Sequence, residues 1–202
     1  MITVGVTGGI ASGKSTVCER LTGLGARMFH ADAEARELMV HDADVRAGVI
    51  AALGAEAYAP DGGLNKTWIA DRIFGSEADR RALEAVVHPA VGVRFRAAKQ
   101  AAEVAGCPML VKEQAVFPNE AARADVDHWV VVEATPGARL DRAARRAGQS
   151  PDQARARMQA QPDATTYRSI ADTVIVNDGT LEDLRARVDD LWETLTGRPA
   201  HA

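Results

Sequence analysis

Ile2-Thr3-Val4-Gly5-Val6-Thr7-Gly8-Gly9-Ile10-Ala11-Ser12-Gly13-Lys14-Ser15-Thr16 is the stretch that decides the fold of this chain. Ile2 to Thr7 is an apolar, β-branched run and reads as a buried strand. Gly8 to Ser15 then fits in full the pattern of a phosphate-cradling loop, with glycines at both ends followed by lysine and a hydroxyl residue. Glycine lets the backbone turn so that successive N–H groups point at phosphate oxygens, and the helix that follows presents its positive end to the same anion. Lys14 is placed to bridge the β- and γ-phosphates and the Ser15 hydroxyl to hold Mg²⁺. Read instead as a turn that binds nothing, the segment would leave both the lysine and the hydroxyl as coincidences. The residues expected at the nucleotide are Gly8, Gly9, Ala11, Ser12, Gly13, Lys14, Ser15 and Thr16.

Outward from this loop, apolar runs alternate with helical stretches. Strands are expected in residues 26–32, 108–116, 128–135 and 172–178, each followed by helical character. This alternation predicts an α/β fold with a parallel sheet and crossover helices, and the unbroken apolar run Trp129 to Val132 suggests burial on both sheet faces. Residues 51–100 contain no convincing strand, which predicts a helical insertion within a single domain spanning 1–202. Trp68, Ile69, Ile73 and Phe74 recur there at helical spacing and read as a packing face. Ser150-Pro151-Asp152-Gln153 and Thr180-Leu181-Glu182-Asp183 carry helix-start signals.

Composition narrows the classes of function. The 202 residues carry 24 Lys and Arg against 28 Asp and Glu, a net charge of −4, which lacks the basic field of a nucleic-acid binder. Cys18 and Cys107 are the only cysteines and have no metal or redox spacing, so both read as core thiols in a reducing compartment. The opening apolar run breaks into glycines within a few residues, unlike a secretory leader or membrane span. A cytoplasmic protein without a membrane partner is expected.

Two further features bear on the acceptor. Asn65-Lys66 is followed by Thr67-Trp68 rather than by a base-reading aspartate, which disfavours a switch GTPase, and Met109 to Val116 carries Lys112-Glu113 where a motor ATPase would end a strand in aspartate. A compact kinase remains. Ligands of open parallel sheets collect beyond the carboxyl ends of the strands, where Asp32 falls; it can take a proton from an acceptor hydroxyl, cap the following helix, or do both. Arg139, Arg142, Arg145, Arg146, Arg155 and Arg157 suit a pair of lid helices over residues 136–162, with a solvated basic face as the alternative.

Taken in order, VTGGIASGKST, HADAEAREL, His88-Pro89, Arg142 to Arg146, Gln161 and Ala171 to Gly179 resemble the dephospho-coenzyme A kinase family over nearly the whole chain. The resemblance implies a P-loop NTPase three-layer sandwich with a five-stranded parallel sheet, a helical substrate-binding insertion and a helical lid. It implies ATP and Mg²⁺ as cofactors and phosphorylation of the ribose 3′-hydroxyl of dephospho-CoA. Asp32 and Lys14 would be catalytic, Arg142, Arg146 and Asn177 would lie at ATP, and Asp32, Arg36 and His88 would hold dephospho-CoA; His88 has the alternative of a structural residue at a helix end. Three departures from the family pattern stand out: His30 where the first acid of Asp-x-Asp is usual, Glu113 to Glu120 in place of a Leu-Leu-Phe-Glu type segment, and Ala147 after Arg146 where Asp is usual. The alternatives are another small-metabolite kinase of this fold and a nucleotide-binding regulator without catalysis, the second opposed by intact Lys14, Ser15 and Asp32.

Overall fold

The computed structural model describes residues 1–145 and 151–200. They form two compact units, one from 1–30 and 98–202 and the other from 31–97.

In the first unit, strand β1 (Ile2–Thr7) leads through the loop into helix α1 (Lys14–Gly23), and β2 (Arg27–His30) follows. The second unit opens with α2 (Ala31–His41), α3 (Ala43–Leu53), a 3₁₀ turn (Ala55–Ala57) and α4 (Lys66–Gly75). Helix α5 (Glu77–Val104) carries the chain out of it, and β3 (Met109–Glu113), α6 (Glu120–Ala124), β4 (His128–Glu133), α7 (Pro136–Ala144), α8 (Pro151–Gln159), α9 (Ala164–Arg168), β5 (Thr173–Val176) and α10 (Leu181–Thr196) complete the chain. The five strands pair in the order β2-β3-β1-β4-β5, all parallel.

Alternation along the strands divides the sheet's two faces. Val4, Val6, Met109, Val111, Val130, Val132 and Ile175 pack against Val17, Cys18 and Leu21 of α1 and Leu184, Val188, Leu191 and Trp192 of α10. On the opposite face Trp129 and Val131 pack with Tyr167 and Ile170. Gly5 is required here, because a Cβ would fall 2.5 Å from the Trp129 ring. This is the α/β arrangement with a parallel sheet that the alternation of apolar runs predicts, in the three layers that the resemblance implies. Helix α10 starts where expected: the Thr180 hydroxyl accepts from the Asp183 N–H and the Asp183 carboxylate accepts from the Thr180 N–H. The start expected at Ser150 lies outside the described residues.

In the second unit Asp42 caps α3 by accepting from Asp44 and Val45 N–H, and the Tyr58 hydroxyl donates to the Met39 carbonyl. The helices expected over 51–100 fall here and in α5. Two expectations change. Phe74 is 68% exposed, because it sits five positions beyond buried Ile69 and therefore off the face that Ile73 continues. No helix end occurs at His88-Pro89: α5 runs through Pro89 for 28 residues, long enough to absorb the one intrahelical bond that proline removes. Among the described residues no helix is long and apolar enough to cross a membrane.

Neither cysteine is paired; Cys18 is buried and Cys107 half-buried. Burial pushes the Cys18 thiol up from 9.0 to about 12, with the Glu113 charge adding and Lys14 opposing. A raised thiol pKa favours the folded state fully below the ordinary thiol range and loses that contribution as pH rises toward 12. At pH 8 an alkylating reagent is therefore expected to modify Cys107 and to spare Cys18 until the protein is denatured, as read by peptide mass spectrometry. Equal labelling of both in the native protein would contradict the packing of α1.

Candidate nucleotide site

The chain reverses sharply between β1 and α1. Gly8, Ala11 and Gly13 have φ of 144°, 59° and 109°, so the loop repeatedly enters backbone conformations that turn N–H groups to one side. Ala11 adopts the left-handed region without being glycine and is held by packing against Leu140, Ala143 and Ala154 of α7 and α8. Gly13 precedes α1 and no side chain caps that helix, which leaves its first N–H groups for a ligand. The Lys14 ammonium folds back over the loop, donating to the Gly8 carbonyl at 2.8 Å and the Gly9 carbonyl at 3.1 Å. Ser12 Oγ is buried without a hydrogen-bond partner, and Ser15, in the first turn of α1, is exposed.

The loop is tied to the sheet and to α7. Asn177, just past β5 and 7% exposed, donates its side-chain amide to the Ser12 carbonyl at 2.8 Å. That amide occupies the space a Cβ on Gly13 would need, so glycine is required there twice over, by φ and by contact. Arg142 Nη2 donates to the Asn177 carbonyl at 2.9 Å, and Nη1 reaches the Ser12 carbonyl at 3.5 Å. At the other end of the loop the Ile10 N–H donates to Gln161 Oε1 at 2.6 Å, and Arg139 Nε donates to the Ile10 carbonyl at 2.9 Å. The run of arginines therefore divides. Arg139 and Arg142 turn onto the loop, whereas Arg145, Arg155 and Arg157 are exposed. Arg146 and Ala147 lie outside the described residues.

Magnesium demands few protein ligands, since it keeps several waters and shares phosphate oxygens. Among the described residues no three His, Cys, Asp or Glu side chains gather into a cage. An exposed hydroxyl at Ser15, beside a loop of outward N–H groups, has the sparse oxygen donor set that a nucleotide-borne Mg²⁺ needs.

At the carboxyl edge of the sheet, His30 closes β2 and Glu113 closes β3, and the two are register partners with Nδ1 3.1 Å from Oε2. The apolar strand that carries Lys112-Glu113 in place of a terminal aspartate thus ends on Glu113. The lysine before it turns to the opposite face, where its ammonium lies 3.5 Å from Asp125. In the sequence Arg139 stood out only as one of a run of lid arginines, Gln161 only within the family resemblance and Glu113 without a role, because their contacts depend on strand neighbours and on a helix packed back over the loop. Alternating strand direction was the one signal that separated Glu113 from Lys112.

The first unit brings together Gly8, Gly9, Ala11, Ser12, Gly13, Lys14, Ser15, Thr16, Arg142 and Asn177. Asp32, Arg36 and His88 belong to the second. Asp32 lies two residues beyond the end of β2, half-buried in the first turn of α2, with Arg36 one turn further and exposed. His88 is half-buried in the middle of α5. Within this unit Arg94 of α5 lies 3.8 Å from Glu34 of α2.

The sequence profile described as dephospho-CoA kinase matches residues 2–183. A dephospho-CoA kinase of Salinibacter ruber is 43% identical over 197 residues, covering 98% of this chain and 99% of that protein. One of Chlorobaculum tepidum is 38% identical, covering 95% and 94%. Among solved structures, TT1252 from Thermus thermophilus superposes with a TM-score of 0.78 at 28% identity, covering 97% of this chain and 98% of that one. Shikimate kinase from Acinetobacter baumannii, at 16% identity and a TM-score of 0.53 over 98% and 95% of the chains, shares the fold. With its phosphate loop intact and the match running from the first strand to the last helix, this chain belongs to the dephospho-CoA kinase family.

Proposed function

We propose that this protein transfers the γ-phosphoryl group of ATP, with Mg²⁺, to the ribose 3′-hydroxyl of dephospho-CoA, giving CoA and ADP as the last step of coenzyme A biosynthesis. The observation that carries the reading is an intact phosphate loop inside a family match that spans residues 2–183.

The acceptor oxygen attacks the γ-phosphorus in line, the bond to the β,γ-bridging oxygen breaks, and no enzyme intermediate forms. Little covalent work falls to the protein, so positioning and charge carry the catalysis. Lys14 leaves the Gly8 and Gly9 carbonyls for the β- and γ-phosphates, and the first N–H groups of α1 take the remaining phosphate oxygens. Ser15 is the residue that would hold Mg²⁺, which would supply neutralisation of charge on the leaving group. Asp32, following directly on β2, accepts the proton of the 3′-hydroxyl; Arg36 and His88 hold dephospho-CoA. Arg142 and Arg146 serve ATP from the lid helices of 136–162, and Asn177 holds the loop in shape. The helical segment around 51–100 contributes to the acceptor side. A cytoplasmic setting suits the two unpaired thiols.

The direct test incubates the protein with Mg²⁺-ATP and dephospho-CoA and follows ADP and CoA. The wild type is expected to form both in equal amounts. Asp32→Asn is expected to form CoA more slowly by roughly two orders of magnitude, the usual scale of general-base loss. Turnover with a nucleoside but not with dephospho-CoA would move the chain to another acceptor, and nucleotide binding without any transfer would make it a regulator.

The loop ties make a second prediction. Gly13→Ala forces an L side chain into φ 109° against the Asn177 amide and is expected to abolish measurable ATP binding. Asn177→Ala removes one buried hydrogen bond and is expected to weaken ATP by roughly three- to tenfold by calorimetry. An unchanged Gly13→Ala affinity would overturn the geometry of the loop.

A further inference from the structure

Strand alternation puts the last residues of β2 and β3 on one face of the sheet. In β3, Met109 and Val111 point to the side covered by α1 and α10, and Glu113 follows with the same parity. In β2, Met28 packs on that side and His30 follows it. Val6, the register partner of Glu113 on β1, faces the same way. Helix α1 lies over these three strands and starts at their carboxyl end, so its first turn, with Lys14 and Ser15, stands on the face and at the edge where His30 and Glu113 end their strands. The charges that act on the Cys18 thiol of α1 agree with this placement, for they are those of Glu113, Lys14 and Glu19.

The pair is fixed in one sense only. His30 Nδ1 lies 3.1 Å from Glu113 Oε2, and among the described residues Glu113 is the ring's one hydrogen-bond partner. An ionised carboxylate can only accept, so Nδ1 carries the hydrogen, and a neutral imidazole with its hydrogen there presents a lone pair at Nε2. The Glu113 side chain is 20% exposed and the His30 side chain 55%, so the carboxylate is set into the sheet edge and the ring is open to a ligand. Nε2 is thereby an oriented acceptor that no described residue donates to. Magnesium suits it poorly, since that ion takes oxygen ligands in preference to imidazole. A hydroxyl group suits it well, because it brings the O–H that a lone pair needs.

The acceptor sugar carries two such groups side by side. Asp32, which takes the 3′-hydroxyl proton in the reading above, follows His30 by two residues, and two peptide units hold their Cα atoms within about 7 Å of each other. A ribose whose 3′ oxygen meets one of these side chains therefore has its neighbouring 2′-hydroxyl within reach of the other. We infer that His30 Nε2 accepts a hydrogen bond from the 2′-hydroxyl of the acceptor ribose, which makes His30 a specificity-determining residue for a vicinal diol, and that Glu113 is the positioning residue that fixes its ring. The inference rests on the acceptor reading above. A sugar without the 2′ oxygen forgoes this bond while keeping every other group of the substrate.

The test compares dephospho-CoA with its 2′-deoxyribose analogue as acceptors, with Mg²⁺-ATP at about pH 8, where imidazoles are ordinarily neutral. The readout is the ratio of the two kcat/KM values. Wild type is expected to prefer dephospho-CoA by roughly 3- to 10-fold, the scale of one neutral hydrogen bond. In His30→Ala the preference is expected to shrink to less than about twofold, the loss falling on dephospho-CoA. Glu113→Ala, which frees the ring to turn, is expected to lower the ratio in the same sense, and Glu113→Gln, which keeps an oxygen to accept from Nδ1–H, to restore it. A preference that persists in His30→Ala, or that wild type never shows, would overturn the inference. Equal losses on both acceptors leave the ratio where it was and overturn it too, reducing the pair to a tie between two strands. Should His30→Ala fail to fold, His30→Phe, a ring without nitrogen, decides by the same ratio. A wild type that phosphorylates neither acceptor would sink the kinase reading and the inference with it, a result distinct from turnover of both at equal rates, which sinks the inference alone.

Discussion

Everything in the first unit depends on holding one loop open. A chain that turns its N–H groups toward an anion gives up the internal hydrogen bonds those groups would otherwise make. The protein compensates from outside the loop: Asn177 and Arg142 secure the Ser12 end, Gln161 and Arg139 the Ile10 end, and Lys14 folds across Gly8 and Gly9. Each such bond contributes on the order of 1 kcal/mol. Together they define a shape in which the donors wait for phosphate, so the loop does not reorganise at the moment of transfer.

The sheet exists to bring those ties together. Their residues come from Ser12, Arg139, Gln161 and Asn177, remote in sequence, and the strand order β2-β3-β1-β4-β5 sets the loop's strand between β3 and β4, with β5 one place further out. The apolar face shared by α1 and α10 anchors the helix whose first turn carries Lys14 and Ser15. Its burial also explains why Cys18, one turn past Lys14, is a packing residue and not a reactive thiol.

Charge is distributed by role. Paired arginines such as Arg20 and Arg168 are structural or exposed, and their carboxylates satisfy them. The two that rest on the loop are satisfied by carbonyl and amide oxygens, which hold a guanidinium in place without neutralising it. Such cations keep their attraction for phosphate. At the edge of the sheet His30 and Glu113 form a pair whose members lie on adjacent strands, so that the histidine stands beside a carboxylate from the next strand.

By itself the sequence determined the parallel sheet, since unbroken apolar strands separated by helical stretches have no other place to bury both faces, and it determined the phosphate loop, since glycine spacing, lysine and hydroxyl are local requirements of backbone geometry. Asn177 came only through the family resemblance, whereas Asp32 was legible as a strand-end residue for the same reason. The helix through Pro89 was not, because a proline's local preference yields to the length of helix around it, and exposed Phe74 was not, because spacing gives a face only to within a residue. Only the tertiary structure decided which arginines of a uniform run turn inward, and that Glu113 rather than Lys112 shares an edge with His30. Those outcomes turn on which elements become neighbours, and neighbourhood across more than a hundred residues of chain is set by the packing of the whole sheet, which no local pattern of residues encodes.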